Sequence, residues 1–242
     1  MADVSVTCTL WVGPHYAGAN RVYSPVYVHR LKDMLQRHTV LDLDFVCFTN
    51  VSKDEFRSDI RVIPLEKDWP VWWAKLESFR PGLDLADRVM SLDLDMLIVG
   101  DMDSMINYPH PVALCDFWSY SAFHSTAQAM ARLRAKRNCT LIPVYSSDVL
   151  VYDRGACDCL YMEFTPDAML EYCGDQDWIA AVMGTELPKF PRRWARKLHK
   201  RDMGSSPIAA GQARTLACHP IKNHQLALSG YTYADRIWRG VV

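Results

Sequence analysis

Short apolar runs rich in β-branched residues alternate along this chain with segments of helical character. The clearest helical segment opens with Ser24 and Pro25, a typical N-cap and first helical residue, and continues with apolar residues at spacings of three and four. Strands that alternate with helices predict an α/β fold, in which a mostly parallel sheet is covered by helices on both faces. We expect strands at residues 4–10, 45–49, 60–64, 88–93, 149–152 and 214–219, and further helices at residues 125–137 and 175–183.

The length and composition favour one globular domain. The 242 residues are 50% hydrophobic and 23% charged, so the chain can bury a substantial core and is not of the disordered, coiled-coil or collagen-like class. The formal net charge is −1, so the chain as a whole has no field that attracts nucleic acid or an anionic membrane. Contact with a polyanion therefore requires a local basic patch.

Cysteine usage and the apolar runs favour a cytoplasmic location. The eight cysteines show neither the spacing of a disulfide framework nor paired CxxC elements typical of zinc sites. No apolar run approaches the roughly 18 residues of a membrane-spanning helix. No basic segment precedes the first apolar run, as it does in a secretory signal. We therefore expect a cytoplasmic protein without integral membrane association.

Six aspartates lie between residues 84 and 103, although the whole chain is almost neutral. Two of them, Asp93 and Asp95, interrupt the apolar run at residues 89–99. Because an unpaired buried carboxylate is costly, these two require a metal ion, a basic partner or the amides of a helix N-terminus. The Asp-x-Asp pattern occurs four times in the chain, so position has to discriminate between the matches.

The position of Asp93 and Asp95 at the end of a predicted strand favours a role in ligand binding. Ligands of open α/β sheets bind outside the carboxyl ends of strands, whereas Asp42 and Asp44 precede their strand. In an extended strand Asp93 and Asp95 point to one side, and the turn that follows lets both reach a single hard cation holding a diphosphate. Such a cation acts as a Lewis acid toward a departing nucleoside diphosphate.

Two sequence blocks stand out around the aspartate pair, at residues 72–82 (WWAKLESFRPG) and 89–95 (VMSLDLD). They resemble the donor site of small bacterial and phage glycosyltransferases of the GT-A fold, akin to the glycogenin and lipopolysaccharide galactosyltransferase group. The resemblance implies a Rossmann-like GT-A fold in a single domain, with residues 1–100 as the nucleotide-binding half and residues 101–242 as the acceptor-binding half. Further blocks in the family's order lie at residues 11–16, 27–31, 45–50, 174–179 and 218–222.

The resemblance also implies a metal site. Asp93 and Asp95 would be the metal-binding Asp-x-Asp, His219 the third protein ligand, and Lys222 a contact of the donor diphosphate. An imidazole beside two carboxylates suits Mn²⁺ better than Mg²⁺, so manganese is the first expectation and magnesium the alternative. Lys75 would lie near the diphosphate or the donor sugar, although a solvated lysine on a helix has the same sequence signature.

Contacts with the nucleotide and the sugars follow from the same resemblance. The loop after the first strand would hold the base and ribose, and the start of the helix at residue 175 would face the donor sugar and the acceptor. Residues 145–148 (YSSD) depart from the family's Asn-Ser pair, so acceptor handling is expected to differ. The residues assigned in this way are Leu10, Trp11 and Tyr16 for the nucleotide, and Asp175, Gln176 and Asp177 for catalysis.

Residues 191–201 form a basic segment with six Lys or Arg residues and one Trp. One interpretation is a solvated loop. The other is a surface that faces a polyanion, because basic groups track phosphates and a tryptophan offers a stacking face. The acceptor would then be a nucleic acid, such as a hydroxylated base in phage-type DNA, or a phosphate-bearing glycan or lipid. The contacting residues would be Arg192, Arg193, Arg196, Lys197 and Lys200.

These observations predict a metal-dependent glycosyltransferase that moves a sugar from a nucleotide-sugar, with UDP as the expected nucleotide, to an acceptor hydroxyl. Two alternatives remain open. One is a nucleotidyl or phosphohydrolase enzyme that uses the same carboxylates, and the other is a nucleotide-sugar binder without turnover.

Overall fold

The structure, a computed structural model, describes residues 2–13, 23–67, 69–116, 144–198, 213–218, 226 and 230–241. The strands of this part of the chain are β1 (Val4–Leu10), β2 (Leu43–Thr49), β3 (Arg61–Pro64), β4 (Arg88–Leu92), β5 (Met96–Ile98), β6 (Val112–Asp116), β7 (Tyr145–Asp153), β8 (Ala195–Lys197) and β9 (Thr215–Ala217). The α-helices are α1 (Pro25–Gln36), α2 (Asp103–Ile106), α3 (Asp158–Met162), α4 (Ala168–Glu171), α5 (Asp175–Met183) and α6 (Thr232–Arg239). The 3₁₀-helices are Lys53–Glu55, Val71–Phe79 and Arg192–Trp194.

A six-stranded sheet with the order β3-β2-β1-β4-β7-β6 forms the centre of the fold. Three of its five strand pairings are parallel, and β7 runs antiparallel to both of its neighbours, β4 and β6. The predicted mostly parallel α/β sheet in a single domain is therefore confirmed. A smaller sheet, β5-β9-β8, lies beside it.

Both faces of the large sheet are covered, and alternate residues of β2 illustrate this. Phe45 and Cys47 belong to the apolar cluster that includes α1 and α6, whereas Val46 and Phe48 belong to the cluster that includes the 3₁₀-helix Val71–Phe79. Because side chains of a strand alternate between faces, β2 contributes to both apolar layers. This pattern explains why its sequence is a continuous apolar run rather than an alternating one.

The strand order reverses between β1 and β4, and this reversal predicts a ligand-binding crevice at the ends of these two strands. From β1 the chain proceeds to β2 and β3 on one side, while β4 pairs with β1 on the other side. This reversal is a topological switch point, where open α/β sheets bind their ligands outside the carboxyl ends of the strands. The residues that follow Leu10 of β1 and Leu92 of β4 border this crevice.

Most of the predicted elements agree with the structure. The helix at 175–183 matches α5, and the predicted helix after Ser24 matches α1, although the Ser24 side chain makes no capping hydrogen bond. The strand predicted at 149–152 is longer, because β7 begins at Tyr145 and pairs with both β4 and β6. The strand predicted at 214–219 is β9, and the helix predicted at 125–137 lies outside the described residues.

The basic segment is not the simple loop that its composition predicts. Its start forms the 3₁₀-helix Arg192–Trp194, and Ala195–Lys197 forms β8, which pairs in parallel with β9. The loop interpretation is therefore wrong for this part. The physical reason is packing and pairing. The Trp194 ring contacts Tyr108 and Phe190 at centroid distances of 5.7 and 6.2 Å, and the Arg214 amide donates to the Trp194 carbonyl oxygen at 2.7 Å beside the β8–β9 pairing.

Among the described helices, none is long and apolar enough to cross a membrane. Six of the described cysteines have free thiols, and Cys173 is disulfide-bonded. Five of the six free thiols are buried. Buried thiols of this kind act as small apolar side chains of the core.

A pair of leucines tests the packing of α1 on the sheet. Leu31 of α1 is fully buried, whereas Leu170 of α4 is 89% exposed. We expect Leu31→Ala to lower the free energy of unfolding by about 2 to 5 kcal/mol because it leaves a cavity, and Leu170→Ala to change it by less than about 0.5 kcal/mol. Urea unfolding followed by circular dichroism measures both, and equal losses would contradict the described packing.

Candidate active site

Asp93 and Asp95 occupy the turn that joins β4 of the large sheet to β5 of the small sheet. The Asp93 amide donates a hydrogen bond to the Asp148 carbonyl oxygen at 2.9 Å, and the Cys218 amide donates to the Asp95 carbonyl oxygen at 3.1 Å. Both aspartates are therefore fixed through their backbones, one to β7 and the other to the end of β9. The prediction that the pair lies at the carboxyl end of a strand is confirmed by β4, which ends at Leu92.

Lys75 lies between two carboxylates of the site. Its Nζ is 2.5 Å from Asp93 Oδ1 and 2.9 Å from Asp175 Oδ2. The same Nζ donates to the carbonyl oxygen and the hydroxyl of Ser147, each at 3.2 Å. The ammonium thus joins the 3₁₀-helix Val71–Phe79, the end of β4, β7 and the start of α5.

The 3₁₀-helix that carries Lys75 is held by apolar packing. It begins at Val71, whose φ of 58° is costly for a β-branched residue. Trp73, Leu76 and Phe79 of this segment are buried in the apolar cluster on that face of the sheet. Their packing therefore compensates for the strained start and fixes the position from which Lys75 extends.

The pKa shifts at the site arise from burial first and from the neighbouring charges second. Burial by itself would lower the pKa of Lys75, but the carboxylates of Asp175 and Asp93 outweigh it and raise that pKa. Burial raises the pKa of Asp93; Lys75 opposes this effect, and the neighbouring Asp175 and Asp95 reinforce it. Burial and the charges of Asp93 and Asp95 raise the pKa of Asp148 well above its usual range. One ammonium therefore does not balance the clustered carboxylates.

The composition of this cluster fits a hard divalent cation. Carboxylate oxygens are the ligands that such cations prefer, and Asp93, Asp95 and Asp148 lie close enough to influence one another's charge. Within the part of the chain that the structure describes, no group of three His, Cys, Asp or Glu residues has the arrangement of a complete metal site. The third ligand expected from the sequence, His219, lies outside the described residues.

Tyr23 contacts the second aspartate of the pair. Its hydroxyl donates a hydrogen bond to Asp95 Oδ2 at 2.8 Å. Sequence reasoning did not identify Tyr23, Ser147 or Asp148 as site residues. Each lies far along the chain from Asp93 and Asp95, and only the pairing of β7 with β4 and the start of α1 bring them together.

The three residues assigned to catalysis differ in their exposure. Asp175 and Asp177 are buried at the start of α5, with 6% and 2% of their surface exposed, whereas Gln176 is partly exposed. Asp175 contacts Lys75, so the structure brings it to the Asp93 site. Gln176 is consequently the most accessible of the three to a bound sugar.

The loop after β1 is tied to the loop after β2. The Val12 amide donates to Asn50 Oδ1 at 2.9 Å, and Asn50 Nδ2 donates to the Val12 carbonyl oxygen at 2.7 Å. Trp11 is partly buried, while the Leu10 side chain is fully buried in the core and Leu10 pairs with Thr49 of β2. Tyr16 lies outside the described residues.

The basic segment is less available to a polyanion than its sequence predicts. Arg196 in β8 is only 9% exposed. Arg192 is exposed over 69% of its side chain, but its Nε forms an ion pair with Asp116 Oδ2 at 2.7 Å. Arg193 is exposed. The Lys197 side chain, Lys200 and the predicted diphosphate contact Lys222 lie outside the described part of the chain.

No family model and no curated protein matches the chain. Solved structures of glycosyltransferases do match it. The galactosyltransferase LgtC, in complex with donor and acceptor sugar analogs, matches with a TM-score of 0.64 at 13% identity, over 98% of this chain and 100% of LgtC. The apo-form glycosyltransferase GlyE of Streptococcus pneumoniae TIGR4 matches with a TM-score of 0.62 at 13% identity, over 100% of this chain and 62% of GlyE.

The bifunctional glycosyltransferase WbbM matches with a TM-score of 0.56 at 14% identity, over 92% of this chain and 47% of WbbM. At these identities the likeness is one of fold. The chain therefore has the GT-A glycosyltransferase fold, and the fold expected from its sequence resemblance is confirmed.

Removing the Lys75 ammonium tests its role between the carboxylates. Breaking a buried ion pair by removing one partner leaves charge uncompensated, so we expect Lys75→Met to lower the free energy of unfolding by about 3 to 5 kcal/mol. The double variant Lys75→Met/Asp175→Asn should lose less, because it also removes one of the opposed carboxylates.

The control for this prediction is Arg154→Met. Arg154 forms an ion pair with Asp87 in which the two side chains are 51% and 94% exposed. Exposed pairs contribute little, so this variant should unfold near the urea concentration of the wild type. An equally large loss in Arg154→Met, or no recovery in the double variant, would contradict the described role of Lys75.

Proposed function

We propose that the protein is a metal-dependent glycosyltransferase that transfers a sugar from a nucleotide-sugar, with UDP as the nucleotide, to an acceptor hydroxyl. The observation that carries this proposal is the cluster of Asp93, Asp95, Lys75 and Asp175 at the switch point of a GT-A fold. Carboxylates placed at the carboxyl end of a central strand are positioned to meet a ligand in the crevice.

In this proposal, Asp93 and Asp95 hold the cation, with His219 as the third protein ligand. The donor set of two carboxylates and one imidazole favours Mn²⁺, and Mg²⁺ is the alternative. When bound, the ion acts as a Lewis acid that stabilises the negative charge of the departing diphosphate. The Lys222 side chain binds the donor diphosphate in this proposal.

The nucleotide would occupy the crevice beside the loop after β1. The Leu10 backbone, Trp11 and Tyr16 bind the base and ribose in this proposal, and the hydrogen bonds between Val12 and Asn50 hold this loop in place. The division into a nucleotide-binding half at residues 1–100 and an acceptor-binding half at residues 101–242 belongs to the same proposal. A cytoplasmic location also belongs to this proposal.

Residues around the start of α5 would orient the sugar and the acceptor. Lys75 forms ion pairs with both Asp175 and Asp93 and so keeps the two residues close together. In this arrangement Lys75 also lies near the donor diphosphate or sugar. Gln176, being partly exposed, contacts the sugar or the acceptor, while Asp177 supports that end of the helix from a buried position. One solved structure with the same fold is an active-site variant of LgtC with a glutamine replaced by glutamate, which is consistent with a glutamine at such a site. Positioning of the acceptor hydroxyl against the anomeric carbon then lowers the barrier.

The acceptor is proposed only as a hydroxyl-bearing molecule. A hydroxylated base in DNA is one acceptor to be tested. Among the described residues of the basic segment, the exposed basic side chains are Arg193 and Arg192, and Arg192 is ion-paired. A glycan is the other acceptor class. Neither choice alters the roles proposed for the donor site.

Two Asp-x-Asp matches supply a matched test of the donor site. Asp95 belongs to the site, whereas Asp42 is exposed before β2. We expect Asp95→Asn to lower the turnover number for nucleoside diphosphate release about 100- to 1,000-fold, because it removes charge that holds the cation. Asp42→Asn should retain wild-type turnover. Release is measured with Mn²⁺ and a panel of nucleotide-sugars, with and without hydroxylated DNA or a glycan.

The same assay separates the proposed activity from its alternatives. Donor consumption that depends on an acceptor supports the transferase. Cleavage of the diphosphate without an acceptor identifies a nucleotidyl or phosphohydrolase enzyme. Donor binding without consumption under every acceptor condition identifies a binder, and both of these results overturn the proposed function.

A further inference from the structure

Tyr23 lies two residues before Pro25, the first residue of α1, and its side chain contacts one aspartate of the pair, whereas Lys75 contacts the other. The Tyr23 hydroxyl donates to Asp95 Oδ2 at 2.8 Å, and Lys75 contacts Asp93 Oδ1. The two carboxylates are thus held by different parts of the fold. Asp93 is held by Lys75 of the 3₁₀-helix Val71–Phe79, and Asp95 by Tyr23, which lies just ahead of the N-cap of α1.

The Tyr23 ring is anchored by aromatic packing. It meets the Tyr27 ring edge to face at a centroid distance of 5.0 Å, and Tyr27 in turn lies 5.4 Å from the Trp238 ring of α6. Tyr27 and Trp238 are buried, and the Arg30 guanidinium lies over the Trp238 ring at 5.6 Å. Edge-to-face contacts of this kind favour one ring orientation, so α1 and α6 together fix the direction in which the Tyr23 hydroxyl points.

The backbone that directly follows Tyr23 is also restrained. Ser24 has extended φ and ψ angles of −145° and 168°, and Pro25 occupies the first turn of α1. The proline ring fixes its own φ and restricts the residue before it to extended conformations. The Tyr27 amide donates to the Ser24 carbonyl oxygen at 2.9 Å, which closes the first turn. Tyr23 therefore enters the site from a rigid helix start.

We infer that Tyr23 is a positioning residue of the cation site, one that holds the Asp95 carboxylate in the orientation needed to bind a divalent ion. This inference rests on the metal dependence in the proposed function. Asp95 lies close to the like charges of Asp93 and Asp148, which repel its carboxylate. A hydrogen bond from the anchored Tyr23 hydroxyl opposes this repulsion and keeps the Asp95 carboxylate in place. The carboxylate then needs no further ordering when the ion binds.

Tyr23→Phe removes the hydroxyl and keeps the ring. We expect the dissociation constant for Mn²⁺ to rise about 10-fold, as is typical when a group that orients a metal ligand is lost. The measurement is electron paramagnetic resonance of unbound Mn²⁺ in a titration of the full chain without donor or acceptor. It therefore reads cation binding separately from turnover.

Tyr233→Phe is the matched control. Tyr233 lies in α6 and packs partly buried against the same apolar cluster, so its loss tests removal of a phenol from this region without a change at Asp95. It should bind Mn²⁺ as the wild type does. A second measurement needs no variant of Tyr23: Mn²⁺ added to the wild type should change the tyrosine ultraviolet absorbance, and Asp95→Asn should abolish that change.

The outcomes separate this inference from the proposed function. If the wild type binds Mn²⁺ in a manner that requires Asp95, and Tyr23→Phe binds it equally well, the role of Tyr23 is wrong and the metal site stands. If Mn²⁺ binding by the wild type is absent or indifferent to Asp95→Asn, both the metal dependence and the role of Tyr23 are wrong. Weaker binding by Tyr23→Phe alone supports the inference, whereas equal weakening by Tyr233→Phe overturns it.

Discussion

The ion pairs of Lys75 with Asp93 and Asp175 are the interaction on which the rest of the site depends. An ammonium and two carboxylates are each costly to remove from water. They are tolerated here because Lys75 Nζ lies 2.5 Å from the Asp93 carboxylate and 2.9 Å from the Asp175 carboxylate. Through these ion pairs and the hydrogen bonds of Lys75 to Ser147, the 3₁₀-helix Val71–Phe79 contacts the end of β4, β7 and the start of α5. This arrangement also leaves the site with more carboxylates than cations, which is the condition that makes a bound divalent ion favourable.

The fold explains why this cluster lies where it does. The reversal of strand order between β1 and β4 is the position at which open α/β sheets bind ligands, at the carboxyl ends of the parallel strands. The turn after β4 then leads the chain into the small sheet, so Asp93 remains with the large sheet while Asp95 is tied to the end of β9. The two aspartates therefore connect the large sheet with the small sheet. Solved glycosyltransferase structures share this fold at 12 to 14% identity.

Features encoded by local patterns were predictable from the sequence, whereas contacts between distant residues were not. Strand β4, helix α5 and the position of Asp93 at a strand end follow from apolar runs and turn residues. The partnership of Lys75 with Asp175 spans a long stretch of chain, and no periodicity encodes it. The roles of Ser147 and Tyr23 depend on antiparallel pairing of β7 with β4 and on the docking of α1, which are tertiary properties. The basic segment shows the opposite error, because composition indicated a solvated loop where apolar packing produces a strand.

In the proposed donor site, the paired aspartates bind a divalent ion that in turn holds the donor diphosphate. Diffraction at the manganese absorption edge, from crystals of the full chain soaked with Mn²⁺ and UDP, tests this arrangement. We expect an anomalous peak in contact with both Asp93 and Asp95 and with the diphosphate oxygens. A UDP bound in the crevice without such a peak, or a manganese ion bound away from both aspartates, would contradict it.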